Sequence, residues 1–167
     1  MSKNPLYVMF RDLIQDALIL EGSGPVPEAV EHYVCQLLVD FSKTDDVFAV
    51  RDSSGRPVTS IFEMLAEADV RLNAASFDRE RTVHKHIGDY ILFWSGINPA
   101  FLRKIKLDDG RDLVCDYSRQ GRESYRVVST FEHSPYDREA PLFRVMSDAY
   151  DDLTQSLSRV RRHLPFY

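Results

Sequence analysis

The chain has 167 residues, 44% of them apolar and 28% charged, which excludes a disordered chain and is long enough for one core without a metal or disulfide staple. A net charge of −5 argues against nucleic acid or an anionic membrane as partner of the chain as a whole. No window approaches the ~18 apolar residues of a membrane span, Arg11, Asp12 and Asp16 interrupt any signal-like run, and two cysteines without paired spacing, Cys35 and Cys115, fit a reduced, cytoplasmic protein.

Asn4 followed by Pro5 reads as the cap and first position of a helix in which Leu6, Phe10, Leu13, Ala17 and Leu20 recur at helical spacing up to Gly22. GSGPVP breaks the pattern, and Pro27 opens a second helix with Val30, Val34, Leu37 and Phe41 on one face. In VFAVRDSSGRPVTS, two short β-favouring runs flank an Asp-Ser-Ser-Gly turn, so residues 47–59 are read as a small hairpin or a loop. Ser60 and Glu63 have the spacing of a capping box, with Ile61, Leu65, Ala68 and Leu72 behind it as the stripe of a third helix.

A fourth helix, capped at Ser76 or Asp78 and ending before Pro99, carries HKHIGDYILFWSGINP. At 100° per residue, Val83, Ile87, Tyr90 and Trp94 share one stripe, while His84 and His86 project from nearly opposite sides and cannot hold one metal ion. His86 and Asp89, three apart, can meet as a pair. Four consecutive large apolar residues, Ile91 to Trp94, need burial all round, so this helix is expected at the centre of the bundle.

Asn98-Pro99 opens a short helix closed by Asp108-Asp109-Gly110. Asp112 is then read as the cap of a sixth helix whose buried face is Leu113, Tyr117, Gly121, Ser124, Val128 and Phe131. Glycine inside a helix costs about 1 kcal/mol relative to alanine, so Gly121 needs a reason, and close approach of the fourth helix supplies one. Gly88, Ser95, Gly121 and Ser124 are the expected crossing residues. The last helix, from about Pro141 to Leu164, repeats Leu142, Met146, Ala149, Leu153, Leu157, Val160 and Leu164 as a heptad-like seam.

Gly88, Asp89, Leu92, Phe93 and Gly96, followed by Tyr117, Gly121, Ser124 and Tyr125, resemble the GDxxLFxxG and YxxxGxxSY pattern of an uncharacterised all-helical bacterial family. The resemblance implies a bacterial helical bundle and carries over no activity, cofactor or catalytic residue. With the periodicities it gives an all-α fold, a single domain over 1–167 built as a bundle of about six or seven helices.

No catalytic residue is assigned. Di-metal bundles use Glu-x-x-His, whereas Glu28/His32 and Glu80/His84 stand four apart, so no metal and no cofactor is expected. Cys35 and Cys115 lack an adjacent activating group, and GSGP has neither the lysine nor the preceding strand of a phosphate loop. Arg119, Arg122 and Arg126 form a guanidinium row beside Tyr117 and Tyr125, a solvated face or an anion site. Two functions of different class follow. The favoured one is a non-catalytic interaction or adaptor module of a bacterial cytoplasm that meets a protein partner or self-associates through the seam and the Leu164-Pro165-Phe166-Tyr167 tail. The alternative is a small-molecule or anion binder, or an enzyme, with a pocket between the helices at 78–97 and 112–132 near His86, Asp89, Tyr117, Arg122 and Tyr125.

Overall fold

The computed structural model describes residues 4–18, 27–72, 74–113 and 115–164. Among them the chain forms an all-α bundle of nine helices: α1 (Pro5–Ala17), α2 (Glu28–Asp40), α3 (Thr44–Val47), α4 (Ile61–Ala68), α5 (Phe77–Ile97), α6 (Pro99–Asp109), α7 (Tyr117–Ser129), α8 (Ala140–Asp148) and α9 (Tyr150–Arg161). The longest, α5, is the axis, with α4, α7 and α9 packed around it, while α1 lies against α2 and α9, and α8 against α7 and α2. From His86 to Phe93 every residue of α5 is buried, as a run of large apolar side chains requires, while Trp94, expected to be buried with Ile91 to Phe93, is half-buried.

Local signals set most helix ends. Asn4 Oδ1 accepts from the Leu6 N–H at 3.0 Å, Ser76 Oγ from the Arg79 N–H at 3.1 Å, and Gly110 ends α6 in the left-handed region at φ 72°. Within α1, Phe10 and Ala17 take their expected places in the core, Leu13 is half-buried, Leu6 faces outward, and Ile14, outside the expected stripe, is buried as well; Leu20 and Gly22 lie outside the described residues. The face of α2 is the expected one, with Val30, Val34, Leu37 and Phe41 all buried.

Residues 47–59 form no strand. One antiparallel bridge joins Arg51 and Pro57, and the turn between them is organised by Asp52 Oδ1, which accepts from the N–H groups of Ser54 and Arg56 at 2.9 and 3.0 Å. The flanking Val50 and Val58 drop into the core, so the segment folds as a tethered loop rather than a ladder.

Three helix readings are corrected. The Ser60/Glu63 capping box does not form: Asp112 reaches across to cap α4, accepting from Ser60 Oγ, the Ile61 N–H and the Phe62 N–H, each at 3.0 Å, and Glu63 pairs with Arg111. Since Asp112 is used there, α7 starts four residues later than expected, capped by Asp116, and Leu113 is 56% exposed. Leu72, beyond the end of α4, is likewise outside the core at 68% exposed. The last helix is two: the chain turns at Ala149, which lets α8 pack on α7 and α2 while α9 packs on α5 and α1. Leu142 is half-buried, and Met146, Ala149, Leu153, Leu157, Val160 and Leu164 are all buried within the chain, so the seam packs into the bundle's own core. Residues 165–167 of the aromatic tail lie outside the described residues.

No helix among the described residues is long and apolar enough to cross a membrane.

Candidate functional site

A cleft of about 320 Å³ opens between α2, the 41–50 segment and α5. Helix α2 contributes Tyr33, Gln36 and Asp40, the connecting segment Phe41 and Asp46, and α5 contributes Arg79, Lys85, His86 and Asp89. The spacing of the α5 residues explains their shared face, since positions three, four and seven apart stack on one side of a helix.

Asp89 is the anchor of the inner wall. Its carboxylate is 4% exposed, and Oδ1 accepts from Tyr33 Oη and Tyr125 Oη, both at 2.6 Å. Oδ2 accepts from Lys85 Nζ at 3.1 Å, one helical turn back, and the same ammonium stands 5.3 Å from the centre of the Tyr33 ring. Short bonds to an ionised acceptor are the strong kind, so this carboxylate ties α2, α5 and α7 together. Burial and the neighbouring carboxylate push both phenols well above the usual tyrosine range, which keeps them protonated donors.

His86, 7% exposed, is not the hydrogen-bond partner of Asp89 that its spacing suggests. Its ring lies against Phe41 and Tyr90, with centroids 5.9 and 5.7 Å away, and the Val47 backbone is nearby. Nε2 has no partner. Burial lowers the imidazole to about 4, so it is neutral at physiological pH. In the tautomer that carries its proton on Nδ1, a neutral imidazole presents a lone pair at Nε2.

The remaining residues of the sequence-derived site lie elsewhere. Tyr117 donates to Asp112 Oδ2 at 2.9 Å, beside the start of α4. Arg122 pairs with Asp151 at 2.8 Å and Arg119 with Glu123 at 3.0 Å, so those two guanidinium groups of the row are already engaged. Tyr125 meets Asp89, while His86 lies against Phe41 and Tyr90. Helices α5 and α7 pack directly, with the Tyr125 ring against Gly88, and the cleft lined by His86 and Asp89 is bounded by α2 instead.

The crossing residues are placed as follows. A Cβ at Gly88 would fall 2.4 Å from the Tyr125 ring of α7, and one at Gly121 would fall 2.1 Å from the hydroxyl of Tyr150 of α9. Ser124 meets His84 Nδ1 at 3.1 Å on the α5–α7 contact. Ser95 is half-buried; at that end of α5 it is Gly96 that makes room, for Leu157 of α9. The missing side chains thus receive tyrosine rings and a leucine, where a close approach of bare backbones was expected.

No family model, curated protein or solved structure matches this chain. Among the described residues no group of three or more His, Cys, Asp or Glu side chains is placed to hold a metal ion. Cys35 is buried and Cys115 half-buried, and burial pushes both thiols up to about 11, which holds them as unreactive thiols at neutral pH.

Sequence reading missed Tyr33, Lys85, Asp40, Asp46 and Arg79. Lys85 carried a legible signal, a basic residue four positions before Asp89 on a helix. Tyr33 did not, since its acceptor lies 56 residues away.

Proposed function

We propose that this protein is a non-catalytic binder of a small molecule, which it holds in the cleft between α2 and α5. The observation that carries the reading is His86: a buried imidazole in the cleft wall whose Nε2 has no hydrogen-bond partner. Buried polar atoms are almost always paired, and a ligand donor is the partner that a cleft can supply. The volume, about 320 Å³, stands at the lower end of the ~300–1,000 Å³ typical of ligand sites.

A binding role without chemistry is favoured by how the titratable groups are engaged. General acid–base catalysis works best with a group poised near the working pH, whereas His86 is held at about 4 and Asp89 already serves two phenols and an ammonium. Burial of the heptad seam inside the chain removes the main support for an adaptor or dimer role. The likeness to a bacterial helical pattern and the two free thiols favour a bacterial cytoplasm as its place of action.

The test is a ligand-observed NMR screen of a mixed fragment library against the wild-type chain and Ala49→Trp. Ala49 is exposed and lines the cleft, so the indole fills the opening without entering the core. Fragments that bind the wild type and are lost on A49W are the expected result; identical hit sets for the two proteins refute the reading.

A further inference from the structure

We infer that the cleft selects a small organic cation carrying N–H donors, an alkylamine or alkylguanidine, an inference that rests on the binding reading above. The charges around the opening decide the sign. Both cations in the wall are engaged: Arg79 lies 3.7 Å from Glu67 and donates to the Arg51 carbonyl at 3.2 Å, and Lys85 is held by Asp89 and the Tyr33 ring. The anions are not equally matched. Asp40 has only the neutral amide of Gln36, at 2.9 Å, and Asp46 has no ion-pair partner among the described residues. An entering anion would meet two carboxylates with no cation to spare, while an entering cation would meet two carboxylates that lack one.

Hydrogen-bond polarity points the same way. The unpaired buried atom of the wall, His86 Nε2, belongs to a neutral imidazole, which in the tautomer protonated at Nδ1 offers a lone pair there and calls for a donor. Phe41 lines the same wall, an aromatic side chain compatible with a cation on an alkyl chain. An N–H-bearing cation satisfies all three features at once: carboxylates at the opening, an acceptor at depth and an aromatic side. A quaternary ammonium would satisfy the first and third and leave Nε2 unpaired.

The experiment is a two-dimensional 1H–15N NMR titration of the full chain with 1,4-diaminobutane and agmatine, with 1-butanol and glutarate as neutral and anionic comparators. Expected are saturable shifts of amides in 36–50 and 79–89 with the two cations only, accompanied by a shift of the His86 Nε2 resonance as it accepts a proton donor. Asp40→Asn and Asp46→Asn, which keep shape and remove charge, are each expected to weaken cation binding about tenfold, the equivalent of 1.4 kcal/mol. Cation binding that is unchanged in the double variant D40N/D46N overturns the inference. If fragments lost on A49W prove to be neutral or anionic and the cations leave these amides unmoved, the cation class falls and the binding reading survives. A screen without any A49W-sensitive fragment removes the reading and this inference together.

Discussion

Tyr150 donates its phenolic proton to the Gly88 carbonyl at 2.8 Å, and its ring occupies the space left by the absent side chain of Gly121. Three helices meet at that contact, with α9 reaching past α7 to the backbone of α5. Of the three helical glycines, Gly96 is the least replaceable. A methyl group there would fall 2.3 Å from Leu157 Cβ, an atom fixed to the α9 backbone, so relief requires the two helices to separate. Gly121→Ala collides with the far end of a buried Tyr150 side chain, which can rotate at the cost of its hydrogen bond. Alanine returns about 1 kcal/mol of helix propensity in both cases, against overpacking of about 1–3 kcal/mol or more. Urea denaturation is expected to rank G96A as the more destabilised, with G121A losing about 1–2 kcal/mol. Equal losses would mean that α9 yields as easily as a side chain.

Asp112 provides a second, sharper comparison. Its carboxylate takes the first two N–H groups of α4, the Ser60 hydroxyl and the Tyr117 hydroxyl, all within a buried site. Asp112→Ala is expected to cost about 2–4 kcal/mol, since several donors lose a charged acceptor. Glu63→Ala removes only an exposed pair with Arg111 and is expected to cost less than about 1 kcal/mol. Hydrogen exchange at Ile61 and Phe62 should accelerate in D112A and stay unchanged in E63A; the reverse pattern would restore the capping box.

These two cases also explain what was legible in the sequence. Helix signals that act within four residues, such as Asn4 on Leu6 or Gly110 in its left-handed turn, are carried by spacing alone and were read correctly. The Asp112 cap joins residues 50 to 52 positions apart, and the Tyr33 bond to Asp89 spans 56, so no local pattern encodes either one. The turn at Ala149 was hidden for another reason: apolar residues continue at heptad spacing through it without Gly or Pro. The central position of α5 followed from composition alone, because an unbroken run of large apolar residues admits no solvent face. The cleft did not, because its walls come from three segments and its charges matter only in relation to one another.

Asp89 is expected to be the most sensitive polar residue. Asp89→Leu strands the Tyr33 and Tyr125 hydroxyls and leaves Lys85 with only the Tyr33 ring, for an expected loss of about 3–5 kcal/mol, typical of breaking a buried charged cluster by one member. Asp89→Asn keeps one oxygen acceptor and should lose less. A double-mutant cycle of D89N with Tyr125→Phe isolates the pair, and a coupling near zero would mean that the 2.6 Å contact adds no net stability.

His86 makes stability depend on pH in a definite direction. Its folded-state value, about 4, lies below the ordinary histidine value of ~6.5, so below pH 6.5 the unfolded chain binds a proton that the folded chain refuses. The contribution is therefore fully present above pH 6.5 and is lost as pH falls toward 4. A gap of this size corresponds to about 3 kcal/mol in total, of which about 2 is spent between pH 7 and 5. His84, also lowered by burial, acts with the same sign, so the two must be separated. Replacing His86 with Gln removes the titration and keeps a polar side chain of similar reach, and urea midpoints from pH 7 to 5 should then fall less steeply than in the wild type. Parallel slopes for the two proteins would mean that His86 takes up its proton in the folded state as readily as in the unfolded one, with water reaching Nε2.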